Sequence, residues 1–324
     1  MRNITFTGTD LHISAFSLGT AQFGARVSRE NAFAQLECYA QAGGNFIDTA
    51  HVYGDWGDNG PGISERLIGE WLSTTGRRKD VILSTKGGHP LLDSMHIPRI
   101  TKQDIQKDLE GSLKNLRTDY IDLYFLHRSD PSVPVEEVLG WLEQARLAGK
   151  IRYYGCSNWH LTQVRAAEAI ARAEGFPGFS CNQLMWSLAD IRASALPDST
   201  LVAMNRDFYA YHCQTGMNAM AYTSIANGYF TKLLSDMPIK AGSRSTYDTG
   251  SNVEIAALLR DALLDNNITP LAASLGYLMS QPFPTVPIAS FNSCEQLSEV
   301  LTACNTALPN NLFAKLSKAK LFMV

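Results

Sequence analysis

The feature that most constrains this fold is a regular alternation of short apolar runs with amphipathic helical stretches. The apolar runs are rich in β-branched and aromatic residues, as buried strands are. No linker-like break and no internal repeat interrupts the pattern. Eight strands that alternate with helices predict an α/β fold, a closed (β/α)₈ TIM barrel. The predicted strands cover residues 14–19, 46–48, 81–85, 120–126, 151–156, 179–183, 217–222 and 285–289.

The segments outside this rhythm complete the expected architecture. Residues 3–14 alternate polar and apolar side chains around a Thr-Gly-Thr-Asp turn, which predicts an N-terminal β-hairpin that plugs one end of the barrel. The chain of 324 residues is long enough for one large core, so we expect a single barrel domain over residues 1–324. Residues 224–250, rich in Gly, Ser and Asp, are longer than a connector needs, and such segments are usually functional or mobile.

Charge and cysteine usage exclude several classes of partner. The net charge of −3 gives no basic footprint for nucleic acid. No apolar run approaches the roughly 20 residues of a membrane span, and the first residues lack the apolar core of a signal peptide. The six cysteines show no CxxC spacing, and Cys156 and Cys181 lie in strand-like runs, which predicts buried free thiols and a reducing compartment. We therefore expect a cytoplasmic protein with a small-molecule partner, and leave its oligomeric state open.

Four polar side chains stand at or just after the ends of predicted strands two, three and four: Asp48, Tyr53, Lys86 and His127. Barrel geometry brings these strand ends to one mouth. A lysine beside a phenol stabilises the phenolate and lowers the phenol's pKa, while a carboxylate keeps the lysine charged. A histidine can orient a carbonyl oxygen, so the group suits proton donation to a carbonyl being reduced. Taken singly, each residue has an ordinary explanation as a helix cap, a turn residue or a solvated side chain.

The chain resembles the aldo-keto reductase superfamily over nearly its whole length. The resemblance rests on FIDTAHVYG with GISERLIGEWL, and on ILSTKGG, DYIDLYFLHR, GKIRYYGCSN, NQLMW, AYTSIANG and TVPIASFNSCEQL. It is specific because several separated motifs occur in order. It implies that Tyr53 is the general acid and that Lys86 adjusts its pKa. It also implies that Asp48 pairs with Lys86 and that His127 orients the substrate.

The same resemblance implies a nicotinamide cofactor that lies across the barrel mouth. Ser157, Asn158 and Gln183 match the family's hydrogen bonds to the nicotinamide carboxamide. Trp186 stands where the family usually has an aromatic side chain stacked on the nicotinamide ring. The alternative that Asn158 caps the next helix and Trp186 belongs to the core stays open. Seven further residues would approach the pyrophosphate and the adenosine end: Ser224, Ile225, Ala226, Gly228, Ser290, Asn292 and Gln296.

The preference between NADP(H) and NAD(H) is where the chain departs from its family. Most relatives use NADP(H) and hold its 2′-phosphate with basic residues near the last barrel helix. Residues 290–297 contain no Lys or Arg and carry Glu295. Lys232, Lys240 and Arg244 of the long segment are the cations that could reach the phosphate. We expect NADP(H) as the first choice, NAD(H) as the alternative, and weak discrimination between them.

Substrate and competing functions are less constrained. Trp56, His89 and Arg128 could line the mouth, and this polar set suits a hydroxylated, sugar-like carbonyl better than a steroid. A second hypothesis is a cofactor-sensing regulatory subunit, like the channel-associated members of the superfamily. A metal-dependent barrel isomerase is disfavoured because the histidines lack ligand spacing, and no GxGxxG motif indicates a Rossmann domain.

Overall fold

The computed structural model describes residues 1–196 and 198–322. Two short strands, β1 (Asn3–Thr5) and β2 (His12–Ser14), pair antiparallel in a separate sheet. Eight parallel strands then close into a barrel. They are β3 (Ser17–Gly19), β4 (Phe46–Asp48), β5 (Ile82–Gly87), β6 (Ile121–Leu126), β7 (Ile151–Ser157), β8 (Cys181–Met185), β9 (Asn218–Tyr222) and β10 (Thr285–Ala289).

Helices surround this barrel and complete a (β/α)₈ fold, as the sequence pattern predicts. Six of them start at a Ser, Thr or Asn whose side chain accepts a backbone N–H of the first turn. The helices in chain order are α1 (Arg29–Gln41), α2 (Ile63–Thr75), α3 (Lys102–Leu116), α4 (Val135–Leu147), α5 (Leu161–Glu174), α6 (Arg206–Thr215), α7 (Tyr229–Leu234), α8 (Ala241–Tyr247), α9 (Gly250–Asn266), α10 (Pro270–Met279), α11 (Cys294–Cys304) and α12 (Asn310–Ala319).

The hairpin closes the end of the barrel where the strands begin. Phe6, Leu11 and Ile13 pack in one buried cluster with side chains of β4, β6, β8, β9 and β10. Asn218, the first residue of β9, fixes the hairpin turn: the Thr7 N–H donates to Asn218 Oδ1 at 2.8 Å, and Asn218 Nδ2 donates to the Thr7 carbonyl at 3.0 Å. The predicted plug is confirmed, and it leaves the opposite end of the barrel for chemistry.

The structure corrects several predicted boundaries. Residues 14–19 do not form one strand, because β2 and β3 are separate. Strand β5 runs past residue 85, so Lys86 lies within it. Ser64 lies in the first turn of α2, which begins at Ile63 after Gly62, and its hydroxyl donates to the Thr20 carbonyl at 2.9 Å. The long segment at 224–250 contains two short helices, α7 and α8.

The prediction of buried free thiols is correct for Cys156 and Cys181. All six cysteines are free thiols. Within residues 1–196 and 198–322, no helix has the length and hydropathy that a bilayer span requires. That residues 1–324 form a single domain stays a prediction.

Candidate active site

Asp48 and Tyr53 reach the open end of the barrel from the same strand. Asp48 is the last residue of β4, and the chain then turns so that the Tyr53 N–H donates to the Ala50 carbonyl at 3.0 Å. The neighbouring strand β5 pairs with β4 in parallel, with Asp48 opposite Ser84. Lys86 stands two residues further along β5. Because side chains alternate along a strand, Ser84 and Lys86 point to the same face, toward Asp48.

The ammonium of Lys86 joins the acid and the phenol. Lys86 Nζ donates to Asp48 Oδ2 at 2.7 Å, to the Thr49 carbonyl at 2.6 Å and to Tyr53 Oη at 3.4 Å. The Lys86 side chain is fully buried and that of Asp48 is 2% exposed. Two neutral donors hold the other carboxylate oxygen, Asp48 Oδ1: Ser84 Oγ at 2.7 Å and Gln183 Nε2 at 3.1 Å. The charges are therefore paired and fixed, which a buried ion pair requires.

Burial and charge act in opposite directions on this group. Burial raises the pKa of Tyr53, and the nearby Lys86 charge lowers it, with burial the stronger of the two. The expectation that Lys86 lowers the phenol's pKa describes its own effect correctly but not the net shift, which is upward. Burial also acts to lower the pKa of Lys86, but Asp48 and Tyr53 outweigh it and the pKa is raised. At neutral pH the site holds a protonated phenol beside an ammonium.

His127 follows β6 and lies against both Tyr53 and His89. Its ring centroid is 5.7 Å from that of Tyr53 and 4.7 Å from that of His89. Burial, followed by the charges of nearby basic groups, holds the pKa of His127 well below its usual value, so the ring is neutral. Its Nδ1 is buried without a hydrogen-bond partner in the described part of the chain. A proton on Nε2 strands no buried donor, so we assign that tautomer.

The three residues predicted to bind substrate have different surroundings. His89 Nδ1 bonds to the Pro90 carbonyl at 2.7 Å, and burial lowers the pKa of His89 to about 4. The neutral ring therefore offers its Nε2 as an acceptor. The Arg128 guanidinium is buried and bonded to Thr200 Oγ1 at 2.8 Å and to Asp198 Oδ2 at 3.3 Å. Trp56 is 47% exposed, with its ring centroid 6.1 Å from that of Tyr53.

Ser157, Asn158 and Gln183 come together where β7 and β8 pair, with Ser157 opposite Gln183. Asn158 has a left-handed backbone (φ 59°), and its amide is fully used within the protein. Asn158 Nδ2 donates to the Ser157 hydroxyl at 3.1 Å and to the His127 carbonyl at 3.2 Å. Asn158 Oδ1 accepts from the Val202 N–H at 3.0 Å and from the Tyr222 hydroxyl at 2.7 Å. The Asn158 side chain thus stabilises the junction of β7 and β8. To bind a carboxamide, it would have to give up one of these four hydrogen bonds.

The structure does not bring Trp186 to this group. Its ring is 2% exposed and belongs to the core between barrel and helices. It stacks on Phe283 with centroids 6.0 Å apart and meets Tyr209 and Tyr277 edge-on. Tyr222, the last residue of β9, is an aromatic side chain that does pack against the cluster inside the barrel, as well as against the surrounding core. The placement of Trp186 on the nicotinamide is corrected accordingly, in favour of the core alternative.

The residues predicted for the phosphate and adenosine ends follow β9 and β10, which are neighbours in the barrel. The Ser224 hydroxyl is buried and donates to the Ile288 carbonyl at 2.7 Å. Ala226, Asn227 and Gly228 have positive φ angles of 48°, 55° and 73° in succession, so the backbone turns sharply there. At the other segment, Gln296 Oε1 accepts the Asn292 N–H at 3.0 Å, closing the first turn of α11. Ile225 precedes the sharp turn and Ser290 follows β10.

The sequence of the whole barrel matches one family. The sequence profile described as "Aldo/keto reductase family" matches residues 15–320. The chain belongs to the aldo/keto reductase family. An uncharacterized oxidoreductase, YrpG, of Bacillus subtilis is 29% identical over 97% of this chain and 94% of its own length. A probable voltage-gated potassium channel subunit beta of Oryza sativa is 28% identical over 90% of this chain and 84% of its own length.

Structural comparison agrees on the fold. The crystal structure of a thermostable aldo-keto reductase, Tm1743, solved with the inhibitor epalrestat, has a TM-score of 0.73 at 23% identity. It covers 99% of this chain and all of its own chain. At this identity the likeness concerns the barrel architecture of the aldo/keto reductase family.

Three residues of this candidate site are not among those predicted from the sequence. Ser84 could have been found, because it stands two positions before Lys86 and must share its face. Tyr222 could have been found in the same way, from its place at the end of a strand whose alternate residues face inward. The Thr49 carbonyl could not have been found from the sequence, because every residue has a backbone carbonyl. No cluster of three potential metal-ligating side chains occurs within residues 1–196 and 198–322.

Proposed function

We propose that this protein reduces an aldehyde or ketone to an alcohol, reversibly, with a nicotinamide cofactor. The observation that carries the proposal is the bridge that Lys86 Nζ makes between Asp48 Oδ2 at 2.7 Å and Tyr53 Oη at 3.4 Å. This bridge lies at the end of the barrel where such folds perform chemistry. Membership of the aldo/keto reductase family supports the same reaction class.

Each side chain has a distinct task in this proposal. Tyr53 donates its proton to the carbonyl oxygen, and the positive charge on Lys86 stabilises the phenolate that remains. The Nε2–H of neutral His127 is the second donor, and it sets the direction of the carbonyl. Asp48 keeps Lys86 protonated and in place. A reduced nicotinamide, when bound, supplies the hydride that the carbonyl carbon accepts.

The polar groups near β7 and β8 fit a carboxamide. The Ser157 hydroxyl accepts from Asn158 and donates to no group of the described residues, so its proton can be donated to an amide carbonyl. Gln183 uses its Nε2 on Asp48, which turns the amide so that Oε1 can accept from an amide NH₂. One donor and one acceptor are what a carboxamide requires. Tyr222 supplies a flat ring beside them and takes the stacking role first given to Trp186.

NADP(H) is our first choice of cofactor and NAD(H) the alternative. Lys232 Nζ donates to the Asn227 carbonyl at 2.8 Å, so a cation stands on the turn proposed to meet the pyrophosphate. Arg244 is paired with Asp248 at 3.4 Å. The first turn of α11 offers Glu295 and no basic residue. We expect catalytic efficiency with NADPH to exceed that with NADH by less than about a thousandfold; a larger ratio would point to a cation that closes on the 2′-phosphate.

The substrate end combines polar and apolar surfaces. His89 Nε2 is an acceptor close to His127, which suits a hydroxyl group beside the carbonyl, as in a sugar-like substrate. Further out, five large apolar side chains are 37% to 54% exposed on the loops after β4 and β5. We call these the apolar rim: Trp56, Leu91, Leu92, Met95 and Ile97. A hydroxylated aldehyde therefore tests the polar surface near His89, and an aromatic aldehyde tests the apolar rim.

A cofactor-sensing regulatory subunit is the second candidate function. The observation that favours it is the exposure of the five large apolar side chains of the apolar rim, because apolar side chains that gather at a surface are typical of interaction sites. The similarity to a potassium channel beta subunit points the same way. Turnover separates the two candidates.

The test is the loss of reduced-cofactor absorbance with a panel of small aldehydes, aromatic aldehydes, ketones and sugars. We expect clear turnover with at least one class, and its loss in Tyr53→Phe. Saturable cofactor binding without turnover of any carbonyl, in either direction, would favour the regulatory subunit.

A further inference from the structure

His51 stands on the turn that carries Tyr53, and the proposed reaction gives it no task. Its N–H donates to the Lys86 carbonyl at 2.9 Å, so the turn is attached to β5 at the level of the lysine. Its ring points away from the mouth, between α2 and α3. Gly111 of α3 packs directly on the ring: a Cβ there would lie 2.5 Å from His51 Cε1. The space between the helices is therefore shaped for an imidazole, with no room for a side chain at position 111.

The ring lies between two buried carboxylates. His51 Nδ1 is 3.4 Å from Glu65 Oε2, and His51 Nε2 is 4.0 Å from Asp108 Oδ1. Glu65 is fully buried on α2, and the Asp108 side chain on α3 is 4% exposed. Thr85, the residue before Lys86, donates its hydroxyl to Glu65 Oε1 at 2.6 Å. The Gly88 N–H, just after β5, donates to Asp108 Oδ2 at 2.9 Å. Both carboxylates thus hold the strand that bears Lys86.

The two carboxylates differ in their counter-charge. Asp108 has Arg99, whose Nη2 is 2.8 Å from Oδ1. Glu65 receives neutral hydrogen bonds from Thr85 and from Asn115 Nδ2 at 3.1 Å. Within the described residues, His51 is the one basic side chain within 4.0 Å of Glu65. A buried carboxylate needs a positive partner, and only the imidazolium form of His51 supplies one.

The charged groups that face the ring reinforce this assignment. They are Glu65 from α2, Asp108 from α3 and Asp55 from the loop of His51 itself, while Arg99 is occupied by Asp108. Burial acts to lower the pKa of His51, but these three carboxylates outweigh it, Glu65 most, and the net pKa is raised. Only the protonated ring has an N–H on each side, one toward Glu65 and one toward Asp108.

We propose that protonated His51 is a positioning residue that clamps the Tyr53 turn to α2 and α3, holding the Tyr53 hydroxyl beside Lys86. This inference rests on the proposed function, in which Tyr53 is the acid. When the ring loses its proton, one of the two N–H groups disappears and Glu65 is left without its cation. The turn then loosens and the Tyr53 hydroxyl is displaced from Lys86 Nζ, a contact that is already long at 3.4 Å.

The first experiment needs no turnover. NMR titration of ¹³C-labelled histidine and tyrosine in the full protein should give His51 a pKa above the 6.5 of an unperturbed ring. The Tyr53 resonance, assigned with Tyr53→Phe, should shift with the same midpoint. Glu65→Gln should lower the His51 pKa. A Tyr53 chemical shift that does not change through the His51 titration would contradict the proposed positioning role of His51.

The second experiment is kinetic and uses the best substrate found. His51→Gln keeps a hydrogen-bonding side chain without the charge, and His51→Leu removes both. We expect kcat to fall at least about 10-fold in either variant below the His51 pKa, with cofactor affinity kept. Wild-type kcat should fall as the pH rises through the His51 pKa, and both variants should lack that step. His12→Gln, an exposed histidine in the plug, is the control and should match wild type.

The outcomes separate the two proposals. If wild type reduces no carbonyl, the proposed function fails, while the NMR titration still decides whether the clamp exists. If the His51 variants lose thermal stability but keep kcat and the wild-type pH step, His51 is merely structural and the inference is overturned. Partial rescue by Gln relative to Leu, with the pH step absent in both, is the expected result.

Discussion

This barrel contains two buried aspartate–lysine pairs that are almost identical as pairs. Lys86 Nζ lies 2.7 Å from Asp48 Oδ2 at the mouth, and Lys320 Nζ lies 2.8 Å from Asp190 Oδ1 near the end of the chain. The two lysine side chains are 0% and 2% exposed. The distance and burial of an ion pair therefore do not reveal function in this protein. The groups around each pair do.

The remaining partners of the two lysines differ by one group. Lys86 also donates to one backbone carbonyl, that of Thr49 at 2.6 Å, and contacts a phenol, Tyr53 Oη at 3.4 Å, whose proton can be exchanged. Lys320 also contacts two backbone carbonyls, those of Leu188 at 3.3 Å and Ala189 at 3.2 Å, which hold no exchangeable proton.

The carboxylates show the same contrast. Asp190 is saturated by the backbone: its Oδ2 accepts the Leu321 N–H at 2.7 Å and its Oδ1 accepts the Phe322 N–H at 2.6 Å. These bonds hold residues 320–322 on the loop after β8. We call Asp190, Lys320, Leu321 and Phe322 the C-terminal anchor. Asp48 receives side chains only, from Ser84, Lys86 and Gln183. We infer that the first pair serves chemistry and the second holds the chain.

Replacing Tyr53 by Phe should have the largest effect on activity. It removes the proposed proton donor and keeps the ring, so kcat/KM should fall at least about 10²-fold. The unfolding free energy should change by no more than about 1.5 kcal/mol, because the lost hydrogen bond is long. Steady-state kinetics and denaturant unfolding measure the two quantities. Tyr153→Phe, whose hydroxyl bonds to Asp10 at the plug, is the control. Near-normal turnover by Tyr53→Phe would make the assignment of the acid wrong.

Replacing Lys320 by Met should show the opposite pattern. It leaves Asp190 as an uncompensated buried charge, so the unfolding free energy should drop by about 3 to 5 kcal/mol. The folded fraction should keep wild-type kcat/KM, because no anchor residue takes part in the proposed reaction. Lys86→Met is the matched variant and should lose both stability and activity. The comparison breaks if Lys320→Met, measured where it is fully folded, loses activity as severely as Lys86→Met.

The two aromatic candidates for the nicotinamide extend the test. Trp186 contacts Tyr209, and the ring centroid of Tyr209 lies 5.2 Å from that of Phe322. Trp186 is therefore connected through one aromatic ring to the C-terminal anchor. Trp186→Ala should destabilise the fold by about 3 to 5 kcal/mol and leave the cofactor Kd unchanged. Tyr222→Ala should weaken cofactor binding by on the order of 1 kcal/mol. Cofactor titration and thermal unfolding of both variants measure these effects. Weaker cofactor binding in Trp186→Ala and unchanged binding in Tyr222→Ala would show that Trp186 contacts the cofactor.

The sequence predicted the barrel and the place of its chemistry because both depend on local periodicity. Apolar runs that alternate with helical patterns locate eight strands, and polar residues at their ends must share a mouth. The same rule does not hold for Trp186, which stands one residue past β8, because the inward-outward alternation of that strand turns its side chain away from the barrel interior. Gln183 and Trp186 are separated by an odd number of positions and face opposite sides.

The C-terminal anchor could not be predicted from the sequence. Asp190 and Lys320 are separated by 130 positions, and each alone is an ordinary loop or helix-end residue. Their pairing depends on where residues 320–322 cross the loop after β8, a tertiary contact that no periodicity encodes. The network of His51 was hidden for the same reason, since Glu65 and Asp108 come from different helices.

The smallest expected effect concerns the pH dependence of stability, where the two lysines should act with opposite sign. Burial lowers the pKa of Lys320 below the 10.5 of a free lysine, and the attraction of Asp190 does not restore it. The pKa of Lys86 is raised above 10.5 because Asp48 and Tyr53 outweigh burial. The surroundings of the two ammonium groups thus give opposite pKa shifts to two ion pairs of almost the same length.

The sign follows from proton linkage. Between its folded pKa and 10.5, Lys320 binds fewer protons in the native state than in the unfolded chain, so its contribution to stability rises with pH. Lys86 contributes fully below 10.5, and that contribution is lost as the pH rises through its folded pKa. Each slope is at most about 1.4 kcal/mol per pH unit. The measurement is the difference in unfolding free energy between wild type and Lys320→Met, and between wild type and Lys86→Met, across alkaline pH. Slopes of the same sign would show that the two pairs are electrostatically alike, and the distinction would then rest on Tyr53 alone.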